Sequence, residues 1–426
     1  MRMKKRFYFV AAGYFRFFAN FALKRWNPRI IAITGSVGKT TMLHLIEQEL
    51  EKKAHYSHDA NSAFGIAFDL VGLRGIYGSK LRWFYLFFTV PIRSIFFKRT
   101  EEFYVVEIDG ERPHETEFLA KWLRPEVTIW VALGRSHAIQ FENQVKEGTF
   151  ENIDKAITHE FAMLPQYTKN KIYIDGDVKL MVKACEKVKL HHNISAEVIP
   201  CFKSECTRYS VHSDHTDFTI GKDKFHFYNP MPSSLAIQLV QLKKLCKYLD
   251  IKLKTDFKKM PLPPGRKSYF EGKNGLRLID SSYNAHLISM EAIMDMAAVM
   301  KEDHKWLVVG DMVEQGSIEG EEHEKLAKIL MKVKPEQVIL IGRRTEQYTA
   351  PILQKNHIKT FVTREPREAL TFIEENTKGG EAIVFKGSQY LEWIIEKLLK
   401  NPDDAKKLPR RDKAAIKRRK NRGLDS

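Results

Sequence analysis

Among its 426 residues the chain has only four cysteines, Cys185, Cys201, Cys206 and Cys246, and no C-x-x-C pair. This excludes a disulfide-stapled secreted scaffold and makes a reducing cytoplasm the simplest compartment. Cys201 and Cys206 fall near His191, His192, His212 and His215, but at irregular spacing, so buried or idle thiols are a better reading than zinc. Acidic residues are missing from two long stretches. Residues 1–29 carry eight basic side chains and none acidic, and residues 70–100 carry six and none. Residues 405–426 add ten basic against two acidic. These segments hold more positive charge than the net +17 of the whole chain, so the remainder is mildly acidic. A nucleic-acid enzyme would spread its basic face through the fold, so nucleic acid is not expected as a partner. A long unbroken apolar run is also lacking. The best candidate, FYFVAAGYFRFFANFAL (residues 7–23), is broken by Arg16 and Asn20 and falls short of the ~20 residues of a spanning helix. Arg16 also interrupts what would be the apolar core of a signal peptide. With no low-complexity tract and no internal repeat, a globular protein of two or three domains remains.

The richest local signal is IIAITGSVGKTTMLHL. Ile30–Ile33 reads as a buried parallel strand and Met42–Leu50 as an amphipathic helix. Between them lie Gly35, Ser36, Val37, Gly38, Lys39, Thr40 and Thr41. The glycines let backbone N–H groups turn inward around an anion at a helix N-terminus. Lys39 would neutralise the β/γ-phosphates of ATP or GTP and the Thr40 hydroxyl would ligate Mg²⁺. Further buried strands are expected at Phe103–Ile108, Val127–Leu133 and Lys171–Asp175. After a proline-rich break at 260–265, the pattern predicts strands at Leu276–Asp280, Lys305–Asp311, Gln337–Gly342 and Glu381–Ser388. Helices fall between them, one from Ser289 and one around Glu321–Val333. This alternation implies an α/β chain: a central P-loop ATPase domain with a mostly parallel sheet (30–262, with a basic aromatic insertion at 70–100) and a C-terminal Rossmann-like domain (263–400). Residues 1–29 form a basic aromatic segment, and 401–426 a basic tail, helical or disordered.

Polar groups at strand ends sharpen the function, because parallel sheets bind ligands there. Glu107 closes one strand and His137 follows the next; a carboxylate and an imidazole there suit a second magnesium ion. No N-K-x-D segment follows the loop, which disfavours guanine nucleotides.

The ordered motifs T-G-S-V-G-K-T-T, V-E-I-D-G-E-R-P, S-H-A, I-D-S-S-Y-N-A-H-L-I-S-M, V-G-D-M-V-E-Q-G with His323, and F-K-G-S resemble those of the Mur ligases. These are the ATP-dependent amide-forming enzymes of peptidoglycan precursor synthesis; the motifs are nearest to the branch that adds D-Ala-D-Ala. The resemblance implies an acyl-phosphate mechanism with ATP and two Mg²⁺. It assigns catalysis to Lys39, Glu107, His137 and a carbamylated lysine, for which Lys155 is the nearest candidate; metal binding to Thr40, Glu107 and His137; further ATP contacts to Arg266 and Asn284; and substrate contacts to Asp280, Tyr283, His286 and Lys386. The partners implied are a muropeptide or other carboxylate acceptor and D-Ala-D-Ala or another amine. The family's N-terminal UDP-gripping domain is not expected, since about 29 residues precede the loop strand. A polyglutamate-extending relative and a membrane-bound ATP-dependent switch are the alternatives. The basic aromatic stretches at 1–29 and 70–100 point to a cytoplasmic enzyme peripheral at the inner face of the membrane.

Overall fold

The computed structural model describes residues 2–424 apart from 59, 76–79, 111, 136–137, 193, 259, 262 and 284, with side chains from Phe7 onward except at residue 80. His137 and Asn284 therefore lie outside the described residues. The chain divides into two compact units, one built from residues 1–134, 140–202 and 241–253, the other from 135–139, 203–240 and 254–426.

The first unit runs α1 (Arg2–Trp26), β1 (Arg29–Thr34), α2 (Lys39–Leu50), β2 (Ala54–Tyr56), α3 (Ala63–Leu70), α4 (Lys80–Phe96), β3 (Phe103–Ile108), α5 (Glu115–Leu123), β4 (Val127–Trp130), α6 (Glu142–Lys146), α7 (Ile153–Gln166), β5 (Lys171–Asp175), α8 (Lys179–His192) and β6 (Glu197–Cys201). Its six strands form an all-parallel sheet in the order β2-β3-β1-β4-β5-β6. Every residue of β3 and β4 is buried, as expected of strands covered on both faces. One core joins α1, α3, α4 and α5 to the sheet through Phe15, Phe68, Leu86, Val90, Tyr104 and Leu119. A second gathers Trp130, Phe141, Phe161 and Met181. The breaks in α1 have local uses. Arg16 donates to Phe118 O and lies over the Phe118 ring, and Asn20 accepts from the Trp122 indole, so both serve α5. Among the described residues no helix is long and apolar enough to cross a membrane.

The second unit begins with an antiparallel sheet, β7 (Cys206–Val211), β8 (Thr216–Ile220) and β9 (Asp223–Phe227), followed by α9 (Leu235–Leu249), whose residues from Gln241 count with the first unit. It continues β10 (Ser268–Glu271), β11 (Arg277–Ser281), α10 (Leu287–Val299), β12 (Lys305–Gly310), α11 (Glu319–Lys332), β13 (Gln337–Ile341), α12 (Ala350–Lys355), β14 (Thr360–Thr363), α13 (Pro366–Asn376), β15 (Ala382–Lys386), α14 (Leu391–Leu398) and α15 (Lys413–Asn421). Its sheet order is β10-β11-β15-β12-β13-β14, parallel except for the edge strand β10. The basic tail is not loose. Asp412 caps α15, Arg410 pairs with Glu392, and both Arg411 and the buried Arg419 reach Glu396.

Candidate functional site

In the first unit the turn after β1 is shaped by what cannot fit there. Gly35 has φ +134°, and a Cβ on it would lie 2.7 Å from Ala132 O. Gly38, at φ 88°, turns the chain into α2 in the left-handed region that glycine enters without strain. Ser36 fastens the loop to the segment that follows β4: its hydroxyl donates to Gly134 O and accepts from Gly134 N–H, both at 2.7 Å. Val37 is half-buried, and Thr41 is buried in the first turn of α2. The result is a backbone cup at a helix N-terminus, built to receive an anion.

Four side chains converge on this cup. The Lys39 ammonium lies 2.7 Å from Gly35 O and 2.8 Å from an Asp109 carboxylate oxygen. Thr40 donates to Glu107 at 3.2 Å. Parallel registry explains the second contact, since Ile33 pairs with Glu107 and Thr34 with Ile108, placing the end of β3 beside the loop. Ser57 anchors the same strand by accepting from Glu107 N–H at 2.9 Å. Asp109 and Asn61 were not singled out in the sequence, yet Asp109 holds Lys39 and is itself bonded by the Asn61 amide at 3.1 Å. The signal was there: Asp109 stands two residues beyond Glu107, past the same strand end. A hydroxyl and a carboxylate side by side are hard oxygen donors of the kind Mg²⁺ selects, so Thr40 and Glu107 fit that ion.

Lys155 does not join this group. It sits in the first turn of α7, half-exposed, with its amine in an ion pair with Glu151. A carbamate needs a buried setting with cations to hold it, and this amine is open to water. The cysteine–histidine grouping does not form a metal centre either. Among the described residues, the His, Cys, Asp and Glu side chains that cluster closely enough in threes to share an ion are His44, Glu47 and His58, where the Glu47 carboxylate faces both rings at 2.8 and 3.1 Å. The four cysteines are free thiols.

The second unit gathers charge where β11 and β15 end side by side, with Asp280 opposite Phe385 and Ser281 opposite Lys386. Asp280 is fully buried. One oxygen accepts from Ser282 N–H at 2.9 Å; the other has no hydrogen-bond donor among the described residues. Burial pushes its carboxyl up to about 6. Burial, with Arg266 and Lys267 nearby, pulls the Lys386 amine down to about 7. Burial and Arg266 pull Lys267 to about 8. Arg266 stacks on the half-exposed Tyr283 ring at 4.9 Å, and Arg410 donates to Ser282 O and Tyr283 O. With Arg266, Lys267, Lys386 and Arg410 together, this cluster is electropositive and favours an anion.

His286, expected to contact substrate, also has a place in the fold. It is buried as the N-cap of α10, in a reciprocal capping arrangement with Ser289, and its ring faces Gln315 at 3.4 Å. His323 is likewise structural. Its Nδ1–H donates to Glu319 O at 2.8 Å and its Nε2 accepts from Met312 N–H at 3.1 Å, so the neutral ring holds the loop after β12; burial lowers its pKa. The F-K-G-S segment owes its glycine to close packing. A Cβ on Gly310 would lie 1.9 Å from Ser388 O, and one on Gly387 2.4 Å from Gly310 N.

Comparisons with known proteins agree with this arrangement. Residues 265–389 match the family model described as Mur ligase, glutamate ligase domain. The UDP-N-acetylmuramoyl-tripeptide–D-alanyl-D-alanine ligase of Bacillus subtilis is 23% identical over 89% of this chain and 78% of its own length. The ligase of the same name from Rickettsia prowazekii is 25% identical over 86% and 77%. Among solved structures, MurF of Acinetobacter baumannii superposes with a TM-score of 0.71 at 16% identity, covering 91% of this chain and 80% of that one. MurF of Thermotoga maritima in complex with ADP gives 0.68 at 18% identity, covering 90% and 82%. At such identities the structures speak for the fold. The sequence relatives extend that likeness over most of the chain, and residues 265–389 form a Mur ligase, glutamate ligase domain.

Proposed function

We propose that the protein is an ATP-dependent ligase that joins D-Ala-D-Ala to the carboxylate of a muramyl peptide stem. The observation that carries this reading is the group at the first unit's loop: Lys39 in the cup, with Thr40 and Glu107 in contact beside it. The sequence relatives named for that reaction support the choice of substrates.

A carboxylate does not acylate an amine at neutral pH because oxide is too poor a leaving group. In the proposed reaction an acceptor carboxylate oxygen attacks the γ-phosphorus of ATP. The bond to the bridging oxygen breaks and ADP leaves. The amine then adds to the acyl carbon and loses its proton, and inorganic phosphate departs with the C–O electron pair. Such transfers depend on positioning and charge neutralisation. The loop N–H groups orient the phosphates, and Lys39 exchanges Asp109 for them. Magnesium, bound by Thr40 and Glu107, would offset charge on the transferring phosphoryl group; by family resemblance His137 would serve a second ion. In the second unit, Arg266, Lys267 and Lys386 suit an anionic substrate group, with Tyr283 at its edge. The use of ATP places the enzyme in the cytoplasm, and we infer a peripheral position at the inner face of the membrane.

The test is phosphate release from ATP, screened across muropeptide acceptors and candidate amines. Release that requires both a muropeptide and D-Ala-D-Ala, with an amide product of the summed mass less water, is the expected result. Turnover supported by glutamate and a polyglutamate acceptor instead would replace this reading with the polymer-extending one.

A further inference from the structure

We propose that α1 and α4 together form a docking surface for a membrane leaflet rich in anionic phospholipid, which gives the peripheral placement inferred above its physical basis. The claim rests on that placement and not on the ligase chemistry.

Helix α1 is apolar on two opposite faces. One buries Ala12, Phe15, Ala19, Ala22 and Leu23 in the core. The other carries Phe7, Val10, Tyr14, Phe17 and Phe21, spaced alternately three and four residues apart, which is one continuous stripe of a helix. Of these, Phe7 and Val10 are each 71% exposed and Phe17 60%. Helix α4 repeats the design. Leu86 and Val90 are buried, whereas Leu81, Phe84, Tyr85, Phe88, Ile92 and Ile95 stand on the opposite side, Leu81 at 84% and Phe84 at 70% exposed. The two helices pack against each other. Tyr14 and Phe87 stack at 4.1 Å at their seam, and the Tyr14 hydroxyl donates to Phe87 O in an exposed hydrogen bond. That pair connects the stripes into one surface. Of the twenty large apolar side chains exposed among the described residues, twelve belong to these two helices. A patch of that kind on a folded protein marks a surface meant to be covered.

Charge decides what covers it. The acid-free stretches 1–29 and 70–100 supply Lys24, Arg25, Arg74 and Lys98 at exposed positions around the helices, and Lys4, Lys5 and Arg6 precede Phe7 in sequence. The acid that approaches α1 most directly, Glu115, is buried and held by Tyr8, Arg112 and Ala63 N–H, so it does not offset this field at the surface. Glu101 and Glu102 follow beyond α4. Aromatic side chains flanked by cations, on helices that do not span, fit the headgroup and upper acyl region of an anionic bilayer.

The experiment is flotation of the full-length protein with vesicles of phosphatidylcholine alone or mixed with phosphatidylglycerol, at low and high salt. The comparison is the double variant Phe84→Asp/Phe88→Asp. Both changes are at exposed sites, so thermal midpoint and ATP binding should match wild type, which separates this test from the ligase reading. We expect capture by the mixed vesicles at low salt, weaker capture by phosphatidylcholine, release as salt rises, and a partition lowered about tenfold or more in the variant. Protein that stays soluble with mixed vesicles at low salt would overturn the proposal, as would a variant that floats like wild type. Salt-insensitive capture, equal on both vesicle types, would remove the requirement for anionic lipid. Self-association abolished by the same variant, without flotation, would assign the surface to a second copy of the chain.

Discussion

Each unit carries a six-stranded sheet with cations gathered at strand ends, and the two treat those cations in opposite ways. In the first unit Lys39 keeps a partner: Asp109 lies 2.8 Å away, and the loop carbonyl of Gly35 takes a second bond. In the second, the buried Lys386 and the half-buried Lys267 lie so near Arg266 that their amines fall to about 7 and about 8. A paired cation on a preformed loop can exchange one anion for another with little rearrangement. Crowded cations instead repel one another, here with Asp280 offsetting part of the repulsion on Lys386, and a bound anion relieves the rest. The first site is organised for ligand exchange, and the second is held under electrostatic tension.

Lys39→Ala is the most damaging way to break the first half of that contrast. It removes the charge that replaces Asp109 with phosphate, and loss of one such electrostatic contact costs about 100- to 1000-fold in turnover. Steady-state phosphate release should fall by that factor, and the thermal midpoint is measured alongside because the Lys39 side chain is only 11% exposed and pairs with Asp109. Wild-type turnover in the variant would remove the phosphate-loop argument.

The opposite design predicts an opposite pairing of effects at Lys386. Lys386→Met keeps the apolar stem and removes the buried amine, so stability should rise by on the order of 1 kcal/mol while ligation falls at least about tenfold. Calorimetry and the phosphate assay on the same preparation test both halves. A less stable variant would show that this cation is satisfied rather than strained.

A third test uses pH. Lys386 and Lys267 have folded pKa values below their ordinary ones, so between about 7 and the ordinary lysine value the unfolded chain binds more protons. Stability of the second unit should therefore rise with pH across that window. Glu160 in the first unit has the reverse sign. Burial lifts it to about 7 against two backbone N–H donors, His114 and Thr116, so its contribution is present in acid and is lost as pH rises from the ordinary glutamate range through 7. Unfolding followed by calorimetry from pH 5 to 9 should show two transitions that diverge, and Lys386→Met should flatten the alkaline rise of one. Parallel transitions would end the comparison.

The parts most easily read from sequence were those where one residue type has one physical reason to be present. β3 and β5 have the expected ends because buried parallel strands are continuous apolar runs. The loop glycines are required by backbone clearance, and the Thr40–Glu107 contact follows from registry. The antiparallel sheet β7–β9 was not foreseen. Its strands are only five or six residues long, so the alternation of Phe218 with Ile220 and of Phe225 with Phe227 is too short a run to stand out. By packing it goes with the second unit, although it precedes the proline-rich break in sequence. Roles carried by position and not by residue type were also hidden: His286 caps a helix, Asp109 holds a lysine, and Arg419 ties down the tail.

Lys155 should show the smallest effect and is the sharpest check on family resemblance as a guide. The resemblance calls for a lysine carbamate bridging the metal site, and position along the chain points to this residue. Its surroundings do not. The Lys155 amine is half-exposed and ion-paired with Glu151 one turn away, and an exposed pair of this kind contributes little to stability, at most about 0.5 kcal/mol. Among the described residues its amine pairs with a carboxylate, not with cations that would hold a carbamate. Lys155→Ala should accordingly leave phosphate release within about twofold of wild type, and added bicarbonate should not change that ratio. If the variant loses activity and short carboxylic acids restore it, the carbamate is real and α7 must rearrange to deliver it.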